Sequence, residues 1–174
     1  GSFEFLFMLA ILWFQQEKPD AIVWEAGIGG RYDPVRCTRA SVSALTSIEL
    51  EHTELLGATE ELIAYDKTDA VAPGGCVILS PSINDGLAMR IAAYANLSGK
   101  ATLPATASRR VGPVVNTPSG ASFTYGFTAA PEASDQPVRL HLAGQHQVDN
   151  AVTGLRVAEA WLGLKPEENA ERHI

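Results

Sequence analysis

The sequence predicts an α/β fold in which a mostly parallel sheet is flanked by helices and a small antiparallel sheet lies at the edge. In the first part of the chain, short apolar runs alternate with helical stretches, which is typical of a parallel sheet with helices on its faces. A later stretch, at about residues 101–143, is rich in proline and glycine and contains short alternating segments, which indicates antiparallel hairpins. A chain of 174 residues can bury one core, so a single domain over residues 1–174 is expected.

The first helix and the strands of the parallel sheet are predicted from apolar runs. The run from Phe3 to Phe14 predicts a helix over about 3–16. At about 12 apolar residues it is shorter than the roughly 20 that span a membrane, and a helix that is apolar nearly all round is expected inside a core. Similar but shorter runs predict strands at 21–25, 40–48 and 75–80.

The other helices are predicted from their end signals and amphipathic pattern. Thr59 precedes two glutamates, a pattern that marks a helix start because the hydroxyl caps free N–H groups and the carboxylates complement the helix dipole. Helices are expected at 59–67, 85–97 and 149–162, and hairpin strands at 121–127 and 138–142.

Charge and cysteine content exclude some classes of protein. A net charge of -7 argues against nucleic-acid binding and against a cationic membrane-surface protein, because phosphate backbones and anionic lipids do not attract such a surface. Cys37 and Cys76 have no metal-like spacing, so two reduced thiols in a cytoplasmic protein are expected. An exposed sheet edge would allow self-association.

A carboxylate and an imidazole follow two of the predicted strands. Glu25 closes strand 21–25 and precedes glycines, and His52 follows strand 40–48. Parallel sheets bind ligands at the carboxyl ends of their strands, so both side chains could hold a metal there. Imidazole by itself would favour manganese or zinc over magnesium. The ordinary alternatives are a Glu25 that faces solvent or pairs with Arg31, and a His52 that neutralises nearby carboxylates.

Lys67 ends a predicted helix, where a cation complements the helix dipole. A role at a metal site would require carbamylation by carbon dioxide, because an ammonium repels a metal and a carbamate offers oxygen ligands. Asp66 and Asp69 flank the lysine and favour its charged form, so the sequence predicts an unmodified Lys67. Glu25, His52 and Lys67 are expected to lie around one cavity.

The segment from Gly144 to Asn150 joins a predicted strand to the last helix, so its polar side chains gather at a helix N-terminus. Asn150 can donate and accept hydrogen bonds, as the edge of an adenine ring requires. Simple helix capping is the alternative, and for Asp149 it is the preferred interpretation.

These segments, in this order, resemble one protein family. They are WEAGIGGRYD at 24–33, TSIELEHTELLG at 46–57, TEELIAYDK at 59–67 and GQHQVDNA at 144–151, with SFEFL at 2–6. On these residues the chain resembles folylpolyglutamate synthase and dihydrofolate synthase, members of the Mur ligase superfamily. The resemblance covers nearly the whole chain and implies the fold of the central domain of those ligases.

The resemblance implies an ATP-driven reaction that forms an acyl phosphate on a folate or dihydropteroate carboxylate, which the amine of L-glutamate then attacks. Mg²⁺ and ATP are the implied cofactors, and the metal would stabilise charge on the transferred phosphoryl group. The implied residues are Glu25 and His52 as magnesium ligands, carbamylated Lys67 completing a second metal site, Asn150 with His146 and Gln147 at the adenine, Phe3 at the pterin and Asp33 at the pteroate group.

The chain departs from the family pattern beside these positions. Glu49 and Glu51 stand where the family has Gly and Asp, and residues 65–69 replace its Arg-Glu-Lys-Ala-Gly. The 174 residues contain no Gly-x-x-x-x-Gly-Lys-Ser/Thr phosphate loop and no C-terminal glutamate-binding domain. The sequence therefore predicts a fragment or truncated relative of such a ligase, an incomplete central domain that is not catalytic alone. The alternatives are a non-catalytic binding module on the same fold and a Mur-type ligase for another carboxylic acid.

Overall fold

The computed structural model describes residues 1–105, 111–127 and 135–163. These residues form five α-helices and two three-stranded sheets. Two parts of the predicted hairpin region, 106–110 and 128–134, lie outside the described residues. The helices are α1 (Ser2–Glu17), α2 (Thr53–Leu56), α3 (Glu60–Thr68), α4 (Asp85–Leu97) and α5 (Gln145–Trp161).

One sheet is parallel, as predicted. Its strands, in spatial order, are β1 (Val42–Leu45), β2 (Cys76–Leu79) and β3 (Ala101–Pro104). α3 connects β1 to β2 and α4 connects β2 to β3. Val77 and Leu79 pack with these two helices in one apolar cluster, whereas Ile78 packs with α5 in a second cluster. All three side chains are buried, which is why the central strand is a continuous apolar run.

The second sheet is antiparallel, also as predicted. Its strands, in spatial order, are β4 (Val115–Thr117), β5 (Gly120–Tyr125) and β6 (Gln136–Leu140). Alternate residues of β5, among them Phe123 and Tyr125, are buried against Val148 and Val152 of α5. Because α5 also contacts β1 and β2, it lies between the two sheets and joins them into one body.

The segment predicted as a strand at 21–25 is not one. Its backbone pairs with no strand in the described part of the chain, and the Val23 side chain is 95% exposed. Trp24 packs between two α1 rings, with centroids 4.8 Å from Phe7 and 5.4 Å from Phe14. An apolar run favours an extended backbone, but a strand also requires a neighbour to bond with. Glu25 therefore does not close a strand of the sheet.

Helix α1 forms where it was predicted, but the expectation that it is a core helix is wrong. Phe7 is its only buried residue. The apolar character of a helix makes burial favourable but supplies no surface to pack against. Phe7 and Phe14 of α1 pack against the ring of Trp24. No helix within the described residues is long and apolar enough to cross a membrane.

The starts of α3 and α4 agree with their capping residues, whereas the start of α5 does not. Thr59 caps α3 by accepting a hydrogen bond from Leu62 N at 3.3 Å, and α4 has the predicted bounds. Helix α5 begins at Gln145, before the predicted start at Asp149. Asp149 is therefore inside the helix and is not its cap; its carboxylate accepts a 2.9 Å hydrogen bond from Gln145 Nε2. Residues 145–148, which were expected to connect a strand to this helix, are therefore part of the helix.

Candidate metal and nucleotide site

The glycine loop, defined here as residues 26–33, is held from within by Asp33. Its Oδ2 accepts hydrogen bonds from Gly27 N at 2.8 Å and Ile28 N at 3.1 Å. Its Oδ1 accepts from Val35 N at 2.9 Å, which caps a short 3₁₀ helix over Pro34–Thr38. Asp33 is buried, and three backbone donors use most of its acceptor capacity. Its evident role is to shape the loop that follows Glu25.

The glycine loop is held from outside by Asp66 of α3. The Oδ1 atom of this buried carboxylate accepts hydrogen bonds from Gly30 N at 2.8 Å and Arg31 N at 3.2 Å. From the sequence, Asp66 is expected only to flank the Lys67 amine, and this role in the loop is not predicted. The signal was present, because Asp66 lies three residues after buried Ile63 and so falls on the inward face of the helix. An acid on an inward face needs backbone or cationic partners.

Direct backbone contact also ties the loop to α3. A Cβ atom added at Gly30 would lie 2.7 Å from the carbonyl oxygen of Lys67 and 2.8 Å from that of Asp66. Only glycine allows the loop backbone this close to the helix. At Gly29, where φ is +65°, a Cβ would lie 2.6 Å from Leu56 Cδ2. The loop after Glu25 therefore contacts both α2 and the turn of α3 that carries Lys67.

Lys67 pairs with Glu51, next to His52. The Nζ atom lies 2.8 Å from Glu51 Oε1. A hydrogen bond from Lys67, together with its charge, lowers the pKa of Glu51 below its ordinary value. Asp66 and Asp69, which were expected to flank this amine and favour its charged form, have other partners. Residues one or two positions from Lys67 on a helix point away from its side chain. Glu51 reaches the amine from a different segment of the chain.

His52 and Glu25 are the predicted metal ligands. His52 has a left-handed backbone (φ 45°) and precedes α2. Both side chains are exposed and make no hydrogen bond in the described part of the chain. Their donor atoms fit a metal, but Lys67 as an ammonium does not. No group of three or more His, Cys, Asp or Glu in the described residues is arranged to hold a metal ion. The predicted set contains only two such residues, so the metal site stays a prediction.

The residues predicted to recognise adenine lie on the first turns of α5. His146 and Asn150 are exposed and four residues apart, hence on one face of the helix. The His146 ring lies over Gly144, where an added Cβ would be 2.7 Å from its Cε1 atom. Gln147 is half-buried, and its N–H donates to Gly144 O at 3.1 Å. The amide of Asn150 makes no hydrogen bond within the described residues.

Phe3 packs against the glycine loop. A Cβ added at Gly27 would lie 3.1 Å from its ring, and the residue remains 40% exposed. The first turn of α1 thereby meets the loop shaped by Asp33. The predicted pterin and pteroate residues thus lie at one loop, although Asp33 is committed to backbone N–H groups.

A partly buried charge cluster around the buried Lys100 ammonium anchors the far end of the loop. Asp69 accepts hydrogen bonds from Lys100 Nζ at 2.5 Å, Arg31 Nε at 2.9 Å and the Tyr94 hydroxyl at 2.9 Å. Arg31 Nη2 also donates to the Tyr94 oxygen at 3.0 Å, and Tyr94 stacks on Tyr65. From the sequence, Asp69 is expected only to flank Lys67 and to replace the family's glycine, not to bind Arg31, Tyr94 and Lys100. Its partners are far away in sequence, so no local pattern indicated them.

The chain is similar in sequence and in structure to known proteins. No protein-family model matches the chain. The chain is 33% identical over 173 residues to mitochondrial folylpolyglutamate synthase of Bos taurus. This match covers 98% of this chain and 26% of the relative. Apo L. casei folylpolyglutamate synthase superposes with a TM-score of 0.81 at 27% identity, over 94% of this chain and 39% of that one. A folylpolyglutamate synthase bound to AMPPCP superposes with a TM-score of 0.79 at 28% identity, over 94% of this chain and 40% of that one.

The shared sheets and helices define an α/β domain of the Mur ligase superfamily. Within that superfamily, the chain belongs to the folylpolyglutamate synthase family. It spans about a quarter of the length of the curated relative, since it covers 26% of it.

Proposed function

We propose that the chain forms the metal- and adenine-binding part of an ATP-dependent ligase that joins L-glutamate to a folate or dihydropteroate carboxylate. The observation that carries the proposal is the contact of the glycine loop with α3, at hydrogen bonds of 2.8 and 3.2 Å to Asp66. This contact brings the segments of Glu25 and Lys67 together. A structural neighbour is bound to AMPPCP, an analogue of ATP, which supports a nucleoside triphosphate as ligand. Because the chain covers 26% of its relative, the proposal concerns what these residues would contribute to such a ligase.

In this proposal, Glu25 and His52 hold Mg²⁺, which when bound would stabilise negative charge on the phosphoryl group in transfer. Asp33 and Asp66 keep the loop beside Glu25 in one shape, so the carboxylate is positioned before the ligand arrives. The γ-phosphoryl group of ATP passes to the substrate carboxylate, and the amine of glutamate then displaces the phosphate. Lys67 would contribute as a metal ligand only after it leaves Glu51 and is carbamylated.

Substrate contacts in this proposal lie at two places. Asn150 donates and accepts at the adenine edge, with His146 and Gln147 beside it. Phe3 presents a half-exposed ring against the glycine loop, and such a ring can stack on a flat pterin. Asp33 acts on the pteroate group through the loop that it shapes. A Mur-type ligase for a different carboxylic acid would use the same phosphoryl chemistry with another occupant beside Phe3.

A non-catalytic binding module is the second candidate, and the ion pair between Lys67 and Glu51 favours it. That pair holds the amine as an ammonium at 2.8 Å from a carboxylate, which leaves no carbamate for a second metal. For either candidate we propose a cytoplasmic location, which the two free cysteines, Cys37 and Cys76, support.

Lys67 is expected to be unmodified in the purified chain. Carbamylation needs a neutral amine, and the Glu51 carboxylate stabilises the charged one. Intact mass spectrometry in bicarbonate buffer, followed by peptide mapping of Lys67, checks this. A carbon dioxide adduct on Lys67 would contradict it and would support the catalytic candidate over the binding module.

ATP is expected to bind the isolated chain weakly through its base. Saturation-transfer NMR should show contact with the adenine protons, and Asn150→Ala should abolish it because the amide is exposed and unpaired in the described residues. Asn96→Ala, an exposed asparagine on α4, is the matched control and should leave the signal unchanged. Equal signals for both variants would refute the adenine assignment. Calorimetry giving micromolar affinity would refute the weak binding.

A further inference from the structure

A groove of about 360 Å³ lies on the antiparallel sheet, away from the candidate metal and nucleotide site. Its lining comes from all three strands and their ends: Val115, Thr117, Ser119, Gly120, Ala121, Ser122, Arg139, Leu140 and His141. The other face of this sheet packs on α5 through Phe123 and Tyr125. The groove is therefore a different surface from the one on α5 that carries Asn150. We call it the sheet groove.

The strand register explains how the sheet groove forms. Successive residues of a strand point to opposite faces, so Arg139 and His141 rise from the same face of the sheet. Ser122 is paired with Arg139 across the two strands. Gly120 has no side chain, and a Cβ added to it would lie 3.4 Å from His141 Cα. The floor beside His141 is therefore backbone, and the longer side chains form the walls.

Three hydrogen-bond donors in the sheet groove have no acceptor. The side chains of Ser122, Arg139 and His141 make no hydrogen bond or ion pair within the described residues. The Thr117 hydroxyl, by contrast, donates to Gly120 O at 3.1 Å and is engaged within the turn. A guanidinium carries five N–H donors and no acceptor. The groove therefore offers donors from two strands without an acceptor of its own to match them.

The sheet groove is also locally positive in an acidic protein. The chain has a net charge of -7, but residues 111–127 contain no charged side chain and residues 135–144 contain only Asp135 and Arg139. Asp135 precedes Arg139 by four residues, which is roughly 13 Å along a strand. An anion in the groove would thus meet Arg139 and His141 without a carboxylate directly beside them.

We propose that the sheet groove binds the phosphate group of a small phosphorylated molecule. The Arg139 guanidinium donates to two phosphate oxygens, as its planar fork allows. The Ser122 hydroxyl and an imidazole N–H of His141 donate from the other sides, which suits a tetrahedral oxyanion better than a planar carboxylate. The groove has room for the group attached to the phosphate. This inference does not depend on the proposed function.

The test is a titration of the purified, 15N-labelled 174-residue chain with inorganic phosphate, followed by NMR and compared with sodium chloride at equal ionic strength. Phosphate should cause saturable shifts of the Gly120 and Ser122 amides, with a Kd on the order of 1 mM. Arg139→Gln should weaken binding at least about 10-fold, because hydrogen bonds to charged groups are the strong ones. The spectrum of this variant without phosphate should otherwise match the parent's, since Arg139 is exposed.

Two further variants make the result specific. Arg39→Gln removes the same charge from an exposed position outside the sheet groove and should leave the Kd unchanged. Ser122→Val removes the hydroxyl, keeps a side chain that suits a strand, and should also weaken binding. Shifts that do not saturate, or that chloride reproduces, would overturn the proposal and indicate an adventitious ion only. Equal losses in Arg39→Gln and Arg139→Gln would overturn it as well, because net charge would then explain the binding.

Discussion

Asp69→Asn is expected to lower the free energy of unfolding by about 3 kcal/mol, the loss typical of breaking a buried ion pair. The Lys100 side chain is only 4% exposed and lies 2.5 Å from Asp69 Oδ1. Without the carboxylate, this ammonium remains buried with no opposite charge. Arg31 loses its ion-pair partner in the same step and keeps only its hydrogen bond to Tyr94. Urea unfolding at neutral pH, followed by circular dichroism, measures the change.

Two further variants separate charge from side-chain shape. Asp20→Asn, at an exposed position, should change stability by less than about 0.5 kcal/mol. Adding Lys100→Met to Asp69→Asn should recover much of the loss, because the uncompensated charge is then removed. If the double variant is as unstable as the sum of the two single variants, the ion pair is not the cause.

The effect of Asp69 should also depend on pH. Burial raises the pKa of Asp69, but hydrogen bonds from Lys100, Arg31 and Tyr94 outweigh it and hold the pKa below its ordinary 3.8. A carboxyl with a lowered folded-state pKa stabilises the protein above its unfolded-state pKa and loses this effect as the pH falls through the folded-state value. The stability difference between the parent and Asp69→Asn should therefore be full at neutral pH and shrink below pH 3.8.

Gly30→Ala is expected to lower the free energy of unfolding by about 3 kcal/mol, the upper range for overpacking. The new methyl group would meet two backbone carbonyl oxygens, at 2.7 and 2.8 Å. Backbone atoms of α3 cannot rotate away as a side chain can, so the glycine loop must move. The same urea titration measures the loss, and Gly154→Ala is the matched control. Gly154 is exposed in α5 with open space around it, so alanine should raise stability by up to about 1 kcal/mol.

Movement of the loop has its own signature. Gly30 N and Arg31 N donate to Asp66, so their amide protons should exchange faster with solvent in Gly30→Ala than in the parent. Protection of amides in α5 should not change. If Gly30→Ala retains both the stability and the loop protection of the parent, the loop does not depend on its close approach to α3.

The elements that were predicted most closely are those with local signals at both ends. Helix α4 begins after Asn84, whose Oδ1 accepts from Leu87 N at 2.9 Å, and its bounds are as predicted. The apolar run of β2 is buried on both faces, as a central parallel strand requires. The start of α5 was placed too late because polar residues in a first turn resemble a cap.

Candidate site residues were found by type and order, but their partners were not. Glu25, His52 and Lys67 were named from strand ends, a helix end and the family resemblance. Glu51 binds the Lys67 amine, and Asp66 binds the glycine loop. Both are contacts between segments that lie far apart in the sequence. Spacing along one helix or strand carries no information about such pairs.

Capping groups, periodicity and side-chain shape act over a few residues, so the sequence was enough to predict where most of the helices and paired strands lie. The order of the motifs was enough to indicate the family. Which of the predicted segments are buried or paired depends on the fold of the whole chain. Helix α1 exposes most of its apolar side chains, and 21–25 stays unpaired in the described residues. The physical reason is that burial and strand pairing need a second surface at the right place, and that depends on the whole chain and its partners.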